Sequence, residues 1–374
     1  MSEKRSQSAA SSFVFKLLES FGNQGIAFVV SLVLGRLLTP DDYGVLSLLL
    51  VFTAIAQVFV QSGLNTALIQ RAKIDETDRS SVFFLGLAIA ALLYTALFFA
   101  APAIERYFAM VGLASYLRVL ALILFPGALT SVQNAVIARE MSFRKLMTAS
   151  LAATVLSGGV GITMALKGLG VWALVGQQLT NQFSLCVLLL VLVRWRPHFC
   201  FSLRRVRSLF SFGWKLLLSS LMDTGYQHLR SFVIGKKFSS EALGYFNRGK
   251  QFPELLMNAV NGSIQSVMLP VLSEQQDDLE RMKQTMRRSI MASSFLVLPL
   301  MAGLAAVARP LVSLLLTDKW LPCVPFLQIC CIDFAFYPIH TANLQAINAM
   351  GRSDVFLKLE IIKKSYGIAI LCVT

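Results

Sequence analysis

Apolar stretches near the roughly 20 residues needed to cross a bilayer follow one another along almost the whole chain. A soluble core cannot be assembled from that pattern. Soluble domains carry about a quarter of their residues as charges, whereas this 374-residue chain is 14% charged and 56% hydrophobic. The expected fold class is therefore an all-α integral membrane protein. Ten complete spans are expected, near 13–35, 44–68, 81–103, 116–138, 147–167, 170–193, 209–235, 247–272, 286–308 and 322–350, with an eleventh starting near 359.

A net charge of +14 would fit a nucleic-acid partner in a soluble protein. Here the basic residues sit in short loops between apolar runs, so they report topology and attraction to anionic head groups, and no nucleic-acid partner is expected. Lys4, Arg5, Arg71, Lys73, Arg139, Arg144, Lys145, the run from Arg194 to Arg207, and Arg281, Lys283, Arg287 and Arg288 fall on one side. By the positive-inside rule that side, with the N-terminus, is cytoplasmic. The polar opening is followed by an apolar segment holding Glu19, Asn23 and Gln24 with no small-residue cleavage pattern, which reads as a retained first helix.

Phe13–Gly44 and Gly213–Gly244 match without a gap at an offset of 200. Leu17/Leu217, Ser20/Ser220, Gly25/Gly225, Gly35/Gly235 and Gly44/Gly244 are identical pairs, and Asn23/Asp223, Thr39/Ser239 and Asp41/Glu241 are conservative ones. Further along, PGALTSVQNAVIARE (126–140) resembles PIHTANLQAINAMGR (338–352), pairing Gln133 with Gln345. An even number of spans per half makes this a parallel repeat about the membrane normal. The expected organisation is two pseudo-symmetric six-helix lobes: 1–193, a basic cytoplasmic linker 194–208, and 209–374. Ending at Thr374 inside an apolar run, the second lobe would stop in helix eleven, one or two helices short of the first.

Polar residues repeating at helical spacing mark faces turned from lipid. Span one has Lys16, Ser20, Asn23 and Gln24; span two Gln57, Gln61 and Asn65; span seven Lys215, Ser219, Asp223, Gln227 and Arg230; span eight Glu254, Asn258, Asn261 and Gln265. Four such helices meeting at a two-fold axis would line a hydrophilic cavity. A charge near mid-helix costs about 2.5–3.5 kcal/mol on insertion scales. Asp223 and Arg230 stand about 10 Å apart along one helix axis, too far to neutralise each other directly. Each needs water, another helix or a ligand. Single amides serve equally well as bridges between helices, and a permanent interhelical ion pair remains open for the two charges. Lys236, Lys237, Arg248 and Lys250 flank the outer mouth and read as snorkelling anchors, with contact to a phosphate as the alternative.

No HExxH, strand-borne GxSxG or P-loop occurs, and the six cysteines lack CxxC spacing. No catalytic residue, metal site or cofactor is expected. Gly158, Gly159 and Gly161 suit close helix packing.

The stretch RLLTPDDYGVLSLLLVFTAIAQVFVQSGLNTALIQR (36–71), with QNAVIAREMSFRKL (133–146), GLGVWALVGQQL (168–179), GYFNRGKQFPELLMNAVNGSIQSVMLPVLSEQQDD (244–278) and LQAINAMGRSDVFLKLEIIKK (344–364), resembles the polysaccharide transporter family. That family sits in the multidrug/oligosaccharidyl-lipid/polysaccharide flippase superfamily, and the similarity is nearest to its lipopolysaccharide, colanic-acid and teichuronic-acid exporters. The resemblance implies an alternating-access flippase carrying an undecaprenyl-diphosphate-linked oligosaccharide, with a cavity lined by helices one, two, seven and eight. It implies partner polymerases and glycosyltransferases, and a coupling proton or sodium ion. On that reading Lys215 and Arg230 meet the diphosphate. Asn23, Gln24, Gln57, Gln61, Asn65, Asn258, Asn261 and Gln265 meet sugar hydroxyls, and Asp223 or Glu254 takes the coupling ion. Two alternatives stand beside it: a multidrug-type cation antiporter, whose cavity should be more acidic and aromatic, and a membrane glycan polymerase or ligase, which needs a large outer loop.

Overall fold

The computed structural model describes residue 19 and residues 22–61, 64–70, 74–193, 195–273, 275, 278–350 and 353–373. Among them there is no strand, and every expected span falls on helix. The helices are α1 Gly22–Leu37, α2 Pro40–Gln61, α3 Leu64–Gln70, α4 Glu76–Phe108, α5 Leu113–Leu120 and α6 Leu124–Glu140, the last two joined by a 3-10 turn. There follow α7 Phe143–Leu166, α8 Val171–Leu192, α9 Leu203–Lys237, α10 Ser240–Ser273, α11 Leu279–Ala306, α12 Ala308–Leu316, α13 Val324–Ala335, α14 Tyr337–Ala349 and α15 Ser353–Val373.

Among the described residues seven helical segments are long and apolar enough to cross a membrane: α2, α4, α5–α6, α7, α8, most of α11, and the stretch Asp318–Ile347. The helices α9 and α10 are long, at 35 and 34 residues, yet fall outside that set. Their polar stripes lower the mean hydropathy.

The chain divides into two compact units, Met1–Glu241 and Ala242–Thr374. The basic segment expected to divide the lobes lies inside the first unit, because α9 packs along α2, α3 and α4. Phe232 is central to that contact, 6.4 Å from Phe52 and 5.2 Å from Phe108 between ring centroids. Lys236 is no free anchor: its ammonium lies 3.9 Å from the Tyr107 ring centre and donates to the Tyr107 carbonyl at the end of α4.

Local sequence explains the helix ends. Thr39 precedes Pro40, the favoured first helical residue, and its N–H and hydroxyl donate to Asp42 at 2.8 and 2.7 Å. Asp75 and Asp78 form a capping box at the start of α4. Between α7 and α8 the backbone turns through Gly168 and Gly170 at φ 72° and 53°, the left-handed region that glycine enters without strain. The glycines of α7 differ in use. A methyl on Gly158 would meet Val30 of α1 and one on Gly161 would meet Gln177 of α8, but Gly159 has nothing within 4 Å.

The segment after α8 is held against α4. Trp195 Nε1 donates to Glu76 at 2.8 Å, the His198 and Ser202 N–H groups donate to Ser80 and Ser81 at 3.1 and 3.0 Å, and Arg205 pairs with Asp75 at 2.7 Å and Asp78 at 3.3 Å. Arg205 precedes the membrane-spanning part of α9, and its hydrogen bonds to Asp75 and then Asp78 push its pKa above the usual value. A raised folded-state value keeps this link fully present below the unfolded value and removes it only as pH climbs past the folded one. From the arginine side the clasp therefore holds throughout the neutral range.

In the second unit, Met268, Leu272, Met282, Ala342, Ala346 and Ala349 form a core between α10, α11 and α14. Arg248, expected as an anchor, is 4% exposed instead: its guanidinium sits 5.2 Å from the ring centre of the fully buried Trp320 and donates to Gln251 at 2.5 Å. Gly249 makes that approach close, since a methyl there would stand 2.8 Å from the Cys323 carbonyl.

Candidate functional site

The polar stripe of α9 is continuous in space. Lys215, Ser219, Asp223, Gln227 and Arg230, at steps of four, four, four and three, are all exposed. Beside them runs a second exposed stripe of apolar side chains, Trp214, Leu218 and Met222. The helix thus offers adjoining polar and apolar strips while Phe232 faces its neighbours. Such a surface suits an amphipathic ligand better than lipid or water alone.

The other expected residues divide between surface and interior. Gln61 and Asn258 are exposed, and Gln24 is half-buried. Glu254 is half-buried and lies 3.6 Å from Lys250, one turn before it. Asn23 is engaged inside the first unit: its amide donates to Ser150, and Thr154 donates to its oxygen at 2.9 Å, tying α1 to α7. The amide of Gln57 rests where a side chain on Gly127 of α6 would stand. Lys16 and the side chains of Asn261 and Gln265 lie outside the described residues.

Two of the expected sugar-binding amides, Gln57 and Asn65, belong instead to a buried amide group. The α2–α3 stretch and α6 run in the same direction, because Gln57 meets Gly127 near one end and Arg139 donates to the Leu68 and Ile69 carbonyls, both at 3.0 Å, near the other. Along this seam the side-chain oxygens of Gln57, Asn65, Gln133 and Asn134 are buried without a hydrogen-bond partner among the described residues, as is that of Gln345 on α14. Gln133 is fully buried. Its pairing with Gln345 in the repeat was the signal available in sequence. Unpaired buried amides favour occupation by water. Among the described residues, no three His, Cys, Asp or Glu side chains gather closely enough to hold a metal ion.

A polytopic helical membrane protein with an exposed amphipathic helix face is the class these features define. A family model described as polysaccharide biosynthesis protein matches residues 33–325, and the chain belongs to that family. It is 25% identical over 341 residues to the succinoglycan biosynthesis transport protein ExoT of Rhizobium meliloti (strain 1021), covering 91% of this chain and 69% of that one. The teichuronic acid biosynthesis protein TuaB of Bacillus subtilis (strain 168) is 24% identical over 332 residues, covering 88% and 69%. The lipopolysaccharide biosynthesis protein WzxC of Escherichia coli (strain K12) is 22% identical over 346 residues, covering 91% and 69%. Among solved structures, lipid II flippase MurJ in an inward closed conformation superposes with a TM-score of 0.69 at 12% identity, covering 91% of this chain and 76% of that one. An inward-facing multidrug resistance MATE family transporter of the MOP superfamily gives 0.64 at 16% identity, covering 91% and 84%. At such identities the likeness establishes the shared fold.

Proposed function

We propose that this chain flips an undecaprenyl-diphosphate-linked oligosaccharide, an O-antigen or exopolysaccharide repeat unit, across the bacterial cytoplasmic membrane. The paired stripes of α9 carry this reading. A lipid-linked glycan has a doubly charged diphosphate between a hydrophilic sugar chain and a hydrocarbon chain, and α9 sets cations and amides beside an apolar strip. Relatives named for succinoglycan transport and for teichuronic acid and lipopolysaccharide biosynthesis support the same substrate class.

Lys215 and Arg230 meet the diphosphate, where an anionic ligand offsets the cost of keeping a cation in the membrane. Gln61, Gln227 and Asn258 offer donors and acceptors to sugar hydroxyls, with Gln24, Asn261 and Gln265 as further candidates. Asn23, Gln57 and Asn65 support the lobe from inside. Asp223 and Glu254 are the coupling-ion candidates: a carboxylate that changes partner between conformations supplies the differential affinity that alternating access requires, and Lys250 is a ready alternative partner for Glu254. The lobes 1–193 and 209–374, joined by 194–208, rock about the repeat axis with the N-terminus cytoplasmic. Glycosyltransferases supply the substrate at the inner leaflet and a polymerase consumes it at the outer one.

The test is leaflet accessibility of undecaprenyl-diphosphate oligosaccharide in proteoliposomes. Protein-dependent movement to the opposite leaflet is expected. Absence of movement with the natural glycan, together with protection of cells from toxic organic cations, would favour an antiporter.

A further inference from the structure

We propose that the segment 195–210 is a binding site for anionic phospholipid at the membrane surface, independent of the glycan this chain moves. Three observations meet there. First, the segment is fixed rather than slack. Trp195, His198, Ser202 and Arg205 are bonded to Glu76, Ser80, Ser81, Asp75 and Asp78 at the cap and first two turns of α4, and Asp78, Ser80 and Ser81 are themselves buried. Its outward side chains therefore cannot fold back into the protein.

Second, those side chains are apolar to a degree no aqueous loop needs. Phe199 is 99% exposed and Leu203 73%, with Phe201 and Phe210 also exposed. The Phe199 ring stacks at 5.7 Å on Phe84, in the opening turns of α4, a helix long and apolar enough to cross a membrane. Third, exposed Arg196, Arg204 and Arg207 are interleaved with the apolar groups. None of the three is in an ion pair among the described residues, since Asp75 and Asp78 pair with Arg205. Leu203, Arg204, Val206, Arg207 and Phe210 line an open groove of about 730 Å³.

The position selects the occupant. The segment follows α8 and lies against the start of α4, two helices long and apolar enough to cross a membrane, so it falls where such helices meet the head groups. Aromatic rings settle at that interface, and arginines there attract anionic lipid. A phospholipid supplies acyl chains for Phe199, Phe201 and Leu203 and a phosphate for the arginines, a two-part match that an inorganic anion or a hydrophobic peptide lacks.

The full chain is tested in phosphatidylcholine nanodiscs containing a minor fraction of phosphatidylglycerol. Phe199→Trp places a reporter in the segment, read as the difference in emission from the parent chain. Brominated phosphatidylglycerol should quench that difference at least twofold more than an equal amount of brominated phosphatidylcholine. Molar salt should erase the preference, as should the triple change Arg196→Gln, Arg204→Gln, Arg207→Gln, whereas the corresponding triple change to lysine should keep it. Equal quenching by the two lipids overturns the proposal. So does a reporter quenched only by aqueous acrylamide, or one shielded in detergent by a co-purifying protein. Survival of the preference in a glutamine triple variant that elutes as the parent does removes the arginines from the site.

Discussion

Asn23 and Asp223 match at the 200-residue offset in the sequence, yet one is half-buried and the other exposed. On α1 the amide is bracketed by Ser150 and Thr154 of α7, with Gly158 and Val30 bringing the same helices together further along. On α9 the carboxylate lies on an exposed face with Lys215 and Arg230. A neutral amide can be enclosed with two hydroxyls at little cost, whereas an enclosed charge needs a full partner. The comparison teaches that one of the matched helices spends its polar group on packing against α7, while the other carries its charges on an exposed face.

The largest expected effect comes from removing that charge. Replacing Lys215 and Arg230 together by alanine should slow flipping in proteoliposomes by about tenfold to a hundredfold, the value of one or two charge-assisted hydrogen bonds. Arg230→Lys should restore part of the rate. Unchanged rates would end the assignment of α9 as the ligand-bearing copy.

Next in size is Gly44→Ala. A methyl there falls inside the Ser240 carbonyl, where the start of α10 meets the start of α2 and Ser240 donates to Asp41. Overpacking of this kind costs about 1–3 kcal/mol, so the melting temperature in detergent should drop, and an unaltered melt would show that the two turns separate freely.

The twins themselves give a sharper, smaller contrast. Asn23→Ala should destabilise by about 1 kcal/mol through its lost bonds to α7, with transport scaled only by the amount of folded protein. Asp223→Asn, at an exposed position, should cost less stability than Asn23→Ala, while altering the ion dependence of flipping. If chemical denaturation ranks the two the other way, the division of labour is reversed. The smallest effect tests the twin glycines. Neither Gly25 nor Gly225 has anything within 4 Å of an added methyl, so alanine at either should stabilise by about 0.5–1 kcal/mol through helix propensity alone.

The helices were legible because lipid leaves so few alternatives: apolar runs must close their own hydrogen bonds, and among the described residues the expected spans fall on helix. The stripe on α9 was equally legible, since steps of three and four put Lys215 through Arg230 on one face and that face is exposed. Periodicity says that a face is polar without saying what it meets. It could not separate Asn23, enclosed by residues more than a hundred positions away, from Asp223 at the surface. It could not bury Arg248 under Trp320, since that contact needs the 3-10 turn after α12 to fold over α10. Nor could it see that the basic stretch after α8 is laced to the capping box of α4, because serines and aspartates at a helix start look like caps whatever else they bind.

The low hydropathy of α9 has a consequence for how the protein is made. A segment carrying Lys215, Asp223 and Arg230 partitions poorly into lipid when it emerges alone, so its entry depends on helices already in place. α2, α3 and α4 precede it in synthesis and receive it through Phe52 and Phe108. Biogenesis is then ordered, with the first six spans serving as the template on which the seventh is admitted. Glycosylation mapping in translocation extracts would read this directly: α9 fused alone to a reporter should pass through the membrane, and α9 preceded by its own first six spans should stay in it.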